Sequence, residues 1–329
     1  MGTNGLGLIH ELLLYGSDDE LLDTAVPYLR AGLEVGEPAL VSCSPATSVL
    51  LRTALGEDSR IGYLNRRDIY ATPSEAITSY QQIVDLHVSA GAERIRLVAE
   101  VAFGPAQVRW AEWGRYEAVV NHAMQPYPIS AICAYDTRST PTEMLASGPA
   151  THPYLARGTG RRRNPYYIEP AVYLRRTAST IDELLESTRP VLEIHELVDL
   201  DALRRRLELA LNRPSHTPEA AADFILAIHE VATNAARHGR PPVTLRLWVT
   251  PARLLCTVTD QGQGFDDPLA GYTWPGTFVD AATGGMGLWL ARRLCDRVDA
   301  FHGLPGFTVR LLTDLDPPAE RASRRPPPG

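Results

Sequence analysis

Lysine is missing from this chain: all 32 basic side chains are arginine. Any mechanism that needs a lysine amine, the Walker-type P-loop among them, is therefore excluded. Cysteine is scarce. Cys43, Cys133 and Cys256 sit in apolar strand-like runs and Cys295 in a helical one, and none forms a Cys-x-x-Cys pair. They read as buried, reduced thiols, which suits a cytoplasmic protein. No stretch approaches the run of about 18 apolar residues that a membrane helix needs. The N-terminus lacks the basic stretch, apolar run and small-residue cleavage site of a secretory leader. There is no excess of positive charge either. The net charge of −7 and a pI near 5.7 argue against a basic face for direct nucleic-acid binding.

What is present suits a globular protein of more than one domain. The chain has 329 residues, 44% of them hydrophobic and 22% charged, enough apolar material for two cores. In the first half, strand and helix patterns alternate. Strands are expected at His10–Tyr15, Pro38–Cys43, Arg94–Val101 and Ile129–Tyr135. Helices are expected at Asp19–Gly32, Thr47–Leu55, Ser74–Ala90 and Trp110–Met124. Alternation of this kind predicts a parallel sheet with right-handed crossovers. Arg157–Pro170, with Gly158, Gly160 and the run Arg161-Arg162-Arg163, reads as an exposed, solvated segment, and Thr177–Thr188 as a connecting helix.

From Pro190 the pattern changes. A strand is expected at Leu192–Val198, helices at Leu200–Leu211 and Thr217–His238, and a hairpin from Val243–Thr250 and Arg253–Thr259. A helix at Gly287–Arg297 and a strand at Phe307–Leu312 follow. This predicts helices packed on an antiparallel-rich mixed sheet. The Pro- and Arg-rich tail from Pro317 reads as disordered.

Three segments of this half carry chemistry. Glu230, Asn234 and His238 recur every fourth residue at the end of the long helix and so share one face. On a helix otherwise so apolar, that polar stripe needs a partner, and a Mg2+–phosphate group would supply one. Asp260-Gln261-Gly262-Gln263-Gly264 follows a strand directly. Its aspartate can accept from an exocyclic amine, and its glycines let backbone approach a ligand. Thr283-Gly284-Gly285-Met286-Gly287-Leu288 opens a helix, where free N–H groups favour phosphate. Asp266–Ala282 lies between the last two segments, placed like a lid. Taken singly, each has an ordinary structural use as a surface helix end, a strand-exit turn or a capped loop. Their joint occurrence in this order points to a nucleotide.

In order and spacing these segments resemble the N, G1 and G2 boxes of the Bergerat-fold (GHKL, histidine-kinase-like) ATPases. Glu230-x-x-x-Asn234-Ala-x-x-His238-Gly and Gly284-Gly-x-Gly-Leu-Trp-Leu290 are similar to the anti-sigma-factor serine-kinase branch. The resemblance implies ATP and Mg2+ as cofactors, with Asn234 on the metal and Glu230 as general base toward a serine or threonine of a partner. It implies Asp260 on the adenine amine, with Gly262 and Gly264 shaping that pocket. Gly285, Gly287 and Leu288 would lie on the phosphate side, with His238 lining it. Met286 stands where many relatives carry a basic residue, a departure that bears on a side-chain phosphate contact there and not on the backbone contact. The implied partners are an anti-sigma antagonist or a sigma factor, and relatives of this kind are often homodimers. A switch that binds ATP and sequesters its partner without phosphorylating it is the alternative. A sensor histidine kinase is a further one, disfavoured because no acceptor-histidine helix precedes the boxes.

The first half is similar to the MEDS sensory domain through His10–Tyr15, Gly32–Glu37, Arg96–Glu100, Tyr116–Asn121 and Cys133–Asp136. That resemblance implies a small-molecule signal, with His10, Glu100, Glu117 and Asn121 as pocket candidates. The stretch after Cys43, Ser44-Pro45-Ala46-Thr47-Ser48, has no P-loop signature. The expected architecture is α/β. A RecA/KaiC-like parallel-sheet domain (1–170) and a linker helix (171–189) precede a Bergerat-fold α/β sandwich (190–315) and a tail (316–329).

Overall fold

A computed structural model describes residues 7–70, 73–101, 107–178, 183–213, 217–273, 286–303 and 306–315. The chain divides into two compact units, 1–177 and 178–329. None of its described helices is long and apolar enough to cross a membrane.

The first unit runs β1 (Ile9–Tyr15), α1 (Asp18–Glu34), β2 (Ala39–Ser42), α2 (Pro45–Leu55), β3 (Ile61–Tyr63), α3 (Arg66–Ile69), α4 (Pro73–Ser89) and β4 (Ile95–Ala99). It continues through α5 (Gln107–Ala123), β5 (Ile129–Asp136), α6 (Thr142–Thr151), β6 (Tyr154–Arg157) and β7 (Gly160–Arg163), and α7 (Pro170–Ala178) reaches the unit boundary. The sheet order is β3-β2-β4-β5-β1-β6-β7. All neighbours pair in parallel except β6 and β7. Its central strands read as nearly continuous apolar runs because both faces are covered. Leu13, Ile132 and Val98 pack with Leu21, Ala25 and Leu29 of α1. Residues of opposite parity, Leu97, Ala131 and Cys133, meet Tyr80 of α4 and Tyr116 of α5 on the other face. Ser17 caps α1 by accepting from the Glu20 N–H, and Glu20 reaches back to the Gly16 N–H at 2.6 Å, a reciprocal cap.

The expected exposed segment after Arg157 is instead an edge hairpin. Gly158, at φ +54, makes its turn in the left-handed region that suits glycine. The arginines of β7 remain exposed, and Arg161 stacks over Tyr154 at 4.9 Å. Charge on the outermost strand opposes further pairing.

The second unit contains one 3-10 turn (Leu184–Ser187), β8 (Leu192–Ile194), α8 (Leu200–Leu211), α9 (Pro218–His238), β9 (Thr244–Val249) and β10 (Arg253–Asp260). α10 (Met286–Leu294), β11 (Arg297–His302) and β12 (Phe307–Asp314) complete it. The sheet order is β11-β12-β10-β9-β8, and every described pairing is antiparallel. One face, through Leu245, Leu247, Leu254, Cys256, Val258 and Leu311, shares a core with Leu203 and Leu207 of α8, Phe224 and Ile228 of α9, and Leu288 and Ala291 of α10.

The other face explains two departures from the sequence reading. No helix spans Thr177–Thr188: α7 ends at Ala178, residues 179–182 lie outside the described set, and a single 3-10 turn follows. Leu185 covers Trp248, Leu255 and Leu312, and Trp248 Nε1 donates to the Thr188 carbonyl at 2.9 Å. Tertiary burial thus overrides helix propensity in this strap. Helix α10 ends at Leu294, and β11 follows where more helix was expected. Its polar residues hid it. Arg297 and Asp299 lie on one face of the strand as a buried ion pair at 2.6 Å, and Arg310 reaches both Asp299 and Glu186. β8 is shorter than expected because its last pairing, Ile194 with Leu245, falls near the start of β9. The tail from 316 lies outside the described residues.

Phe224 is fully buried between α9 and the sheet. Phe224→Ala is expected to cost about 3–5 kcal/mol, read from the shift in the urea unfolding midpoint of the full chain at unchanged slope.

Candidate functional site

Helix α9 is built to carry a polar stripe. Thr217 caps it by accepting from the Ala220 N–H at 3.2 Å. Its apolar residues Phe224, Ile225, Ala227, Ile228, Val231 and Ala232 are buried against the sheet. Glu230 and Asn234 are therefore carried half-buried on an adjoining face, while His238, a turn further on, is exposed at the helix end.

The start of α10 meets this stripe. A Cβ at Gly287 would lie 2.8 Å from Asn234 Nδ2 and 3.0 Å from Glu230 Oε2. Only a residue without a side chain fits there while leaving both groups in place. Among the described residues, neither Glu230 nor Asn234 has a hydrogen-bond or ion-pair partner. A carboxylate and an amide thus stand side by side at a helix N-terminus, where free N–H groups and the positive dipole end favour an anion. Leu288 turns the other way, into the core. Gly285 and the lid positions 274–282 lie outside the described residues.

Asp260 ends β10 and is buried. Its Oδ1 accepts from the Gly262 N–H at 2.6 Å and the Arg240 N–H at 3.1 Å. Gly239, which ends α9, lets this turn close, since a Cβ there would fall 2.5 Å from Asp260 Cγ. Gln261 N–H donates to the Arg240 carbonyl at 2.7 Å. Gly264 adopts φ +59 and lies against Phe307, whose ring meets that of Phe265 at 5.0 Å. The helix end after Glu230, Asn234 and His238 and the strand exit at Asp260, Gly262 and Gly264 are thereby tied together.

Arg292 is a functional candidate that the sequence reading missed. It is buried, donating from Nε to the Ala270 carbonyl at 2.9 Å and from Nη1 to the Val298 carbonyl at 2.8 Å. It also stacks over Tyr272 at 3.8 Å. It pins the segment at Ala270 and Tyr272 to α10. The available signal was its position on the apolar stripe of α10 with Leu288 and Ala291.

In the first unit, the four pocket candidates separate into two places. Glu100 accepts from Tyr15 Oη at 2.8 Å, Thr47 Oγ1 at 2.8 Å and the Ser44 N–H at 2.7 Å. It lines an open crevice of about 760 Å3, outside the C-terminal strand ends, with Tyr15, Ser44, Thr47, Arg66 and Arg138. Burial, then the neighbouring Glu100 carboxylate, pushes the Tyr15 phenol well up. His10, Glu117 and Asn121 come together elsewhere, beside Cys133 and His152, next to a cavity of only about 30 Å3. That is room for about one water and not for an organic signal. His152, which the sequence reading did not single out, is fully buried. Burial, then the adjacent His10, holds its imidazole well below the usual range.

Against known families, the second unit matches the histidine kinase-like ATPase domain over residues 195–312. The first unit matches MEDS, the methanogen/methylotroph, DcmR sensory domain, over residues 9–153. The serine-protein kinase RsbW of Bacillus pumilus is 31% identical over 126 residues, which make up 35% of this chain and 77% of that protein. The chain belongs to the RsbW-type family of histidine kinase-like ATPase proteins, with a MEDS sensory domain preceding the ATPase domain. A solved structure of the RsbU and RsbW domains of a Mycobacterium tuberculosis protein is 21% identical with a TM-score of 0.28. It covers 44% of this chain and 42% of that one, so this chain spans less than half of its length.

Replacing Arg292 by Met leaves the Ala270 and Val298 carbonyls without their donor, at a cost of about 1–3 kcal/mol. Amide hydrogen exchange across 269–272 is expected to accelerate in that variant while the centre of α9 keeps its protection.

Proposed function

We propose that the second unit binds ATP with Mg2+ between α9 and the start of α10. We further propose that it transfers the terminal phosphoryl group to a serine or threonine of a partner of the anti-sigma antagonist class. The observation that carries this reading is the meeting of Glu230, Asn234 and Gly287. Bound ATP with Mg2+ supplies an activated phosphoryl group and neutralised phosphate charge. Asn234 offers the cation an amide oxygen, the hard donor it prefers. Glu230, one helical turn away, takes the proton of the attacking hydroxyl. The backbone at Gly287 and Leu288, preceded by Gly285, faces the phosphates, and His238 borders them.

Asp260 is held rigid by the two N–H groups on Oδ1, which leaves its other oxygen to accept from the adenine amine. Gly262 and Gly264 give the base its close backbone wall. The first unit takes a small-molecule signal in the crevice at Glu100, where carboxylate, guanidinium and hydroxyl groups converge.

Calorimetric titration of the full chain with ATP, with and without Mg2+, tests the site. Mg2+-dependent binding is expected, weakened at least about tenfold in Asn234→Ala, a loss of about 1.4 kcal/mol or more. Glu230→Gln is expected to keep binding and to lose about 10²–10⁴-fold in phosphoryl transfer to an antagonist protein, the range for a lost general base. No binding by the wild type would sink the reading. Binding without transfer in the wild type would leave a switch that sequesters its partner.

A further inference from the structure

The buried cluster at the centre of the first unit has no part in nucleotide chemistry. His10 lies on β1 and Cys133 on the neighbouring β5, where Leu12 is paired with Cys133, so both side chains project from one sheet face. Glu117 reaches them from α5, and His152 from the residue that ends α6. Their relative exposures are 2%, 7%, 1% and 0%, and their donor atoms all lie within 4.8 Å of one another.

The hydrogen bonds around the cluster fix which atoms face inward. His152 Nδ1 lies 2.8 Å from the Gly148 carbonyl, which can only accept, so Nδ1 carries the proton and Nε2 the lone pair. His10 Nδ1 lies 3.1 Å from Asn121 Oδ1. The orientation of that amide is set by Asn121 Nδ2, which donates to the carbonyls of Glu117, Ala118 and Thr151. His10 therefore also presents a bare Nε2. Both Nε2 atoms stand 3.4 Å from Glu117 Oε2, and His10 Nε2 stands 3.2 Å from Cys133 Sγ. His152 Nε2 has no hydrogen-bond partner among the described residues, and beyond the cluster Glu117 is approached by the Tyr135 phenol. Lone pairs facing one another in a dry interior are unfavourable unless a positive centre lies between them. A shared proton fits poorly, because charge-assisted N–H···O bonds contract to about 2.7–2.9 Å. A tetrahedral zinc with bonds of about 2.0–2.3 Å has ligand-to-ligand edges of about 3.3–3.8 Å, close to the three separations seen.

We propose that His10 Nε2, Glu117 Oε2, Cys133 Sγ and His152 Nε2 form a closed, four-donor site for a divalent ion of the zinc class. Mixed imidazole and thiolate donors select such an ion over Mg2+. With no open position, the ion is structural. It ties α5 and the end of α6 to the central strands, while Asn121 and the Gly148 carbonyl orient the two imidazoles from behind.

The test uses the full chain, stripped with a chelator and titrated with Co2+ in the presence of Mg2+ and without nucleotide. One Co2+ per chain is expected, with the visible absorption of tetrahedral cobalt and a thiolate-to-cobalt band, both displaced by Zn2+. Cys133→Ser is expected to lose the thiolate band. Glu117→Gln is expected to bind at least about tenfold more weakly, as follows from losing a charged donor. X-ray absorption of the zinc-loaded wild type needs no variant to fold and should report one sulfur and three lighter donors. Zinc should also restore a melting temperature that the chelator lowers. Failure to bind Co2+, a shell of light donors only, or binding that survives both substitutions would overturn the assignment.

Discussion

A helix can show a carboxylate and an amide to a ligand only if its neighbour leaves room for them, and in this protein that room is the missing side chain of Gly287. The separations there, 2.8 Å and 3.0 Å to where a Cβ would stand, are shorter than side chains tolerate. The approach of α10 to α9 is set from below by the packing of Leu288 and Ala291 on the shared core. From the side it is set by Arg292, which ties α10 to Ala270 and to Val298 of β11. Stability and site geometry are thus one problem in this unit. The same close approach that buries Leu288 brings Glu230 and Asn234 to a helix N-terminus.

The polar stripe on α9 was legible because its i, i+4 spacing stands against a strongly apolar background, and the glycine-rich starts were legible because few other residues suit them. The central parallel strands β1, β2, β4 and β5 of the first unit were legible as apolar runs too short to be helices, while the short β3 and β6, three and four residues long, were not. Polar residues with tertiary partners hid the rest. β11 escaped because Arg297 and Asp299 are buried as a pair, so its polar residues do not mark a solvent face. The 183–188 strap escaped because Leu185 and Glu186 take their meaning from Trp248 and Arg310, far along the chain. His152 escaped for the same reason: nothing near it in sequence marks it as a neighbour of His10.

The first unit separates two kinds of polar interior that a sequence cannot tell apart. His10 lies on β1 and Glu100 just past the end of β4 in the same sheet, yet they serve opposite ends of the physics. Glu100 sits at a strand end, where a carboxylate can be satisfied by hydroxyls and a backbone N–H and still meet solvent in a crevice. Crevices of this kind outside the C-terminal strand ends of open α/β sheets are where ligands usually bind. His10 sits near the start of its strand under α5, in a space too small for anything larger than a water or an ion. One place suits recognition of a molecule that comes and goes, the other a fixed centre.

The absence of lysine can be read against both units. An ammonium is a mobile point charge, suited to following phosphate through a reaction, whereas a guanidinium is a planar fork. Two arginines of the second unit use that fork. Arg292 donates to two carbonyls while stacked on Tyr272, and Arg253 spans Glu183 and Asp314. Each is fixed in one geometry and unavailable to a moving ligand. The phosphate site proposed between α9 and α10 would draw its positive character from a helix N-terminus beside the cation that Asn234 is proposed to hold. The exposed Met286 at the start of α10 agrees with this. On the proposed reading, the phosphates would meet backbone N–H groups there and not a basic side chain.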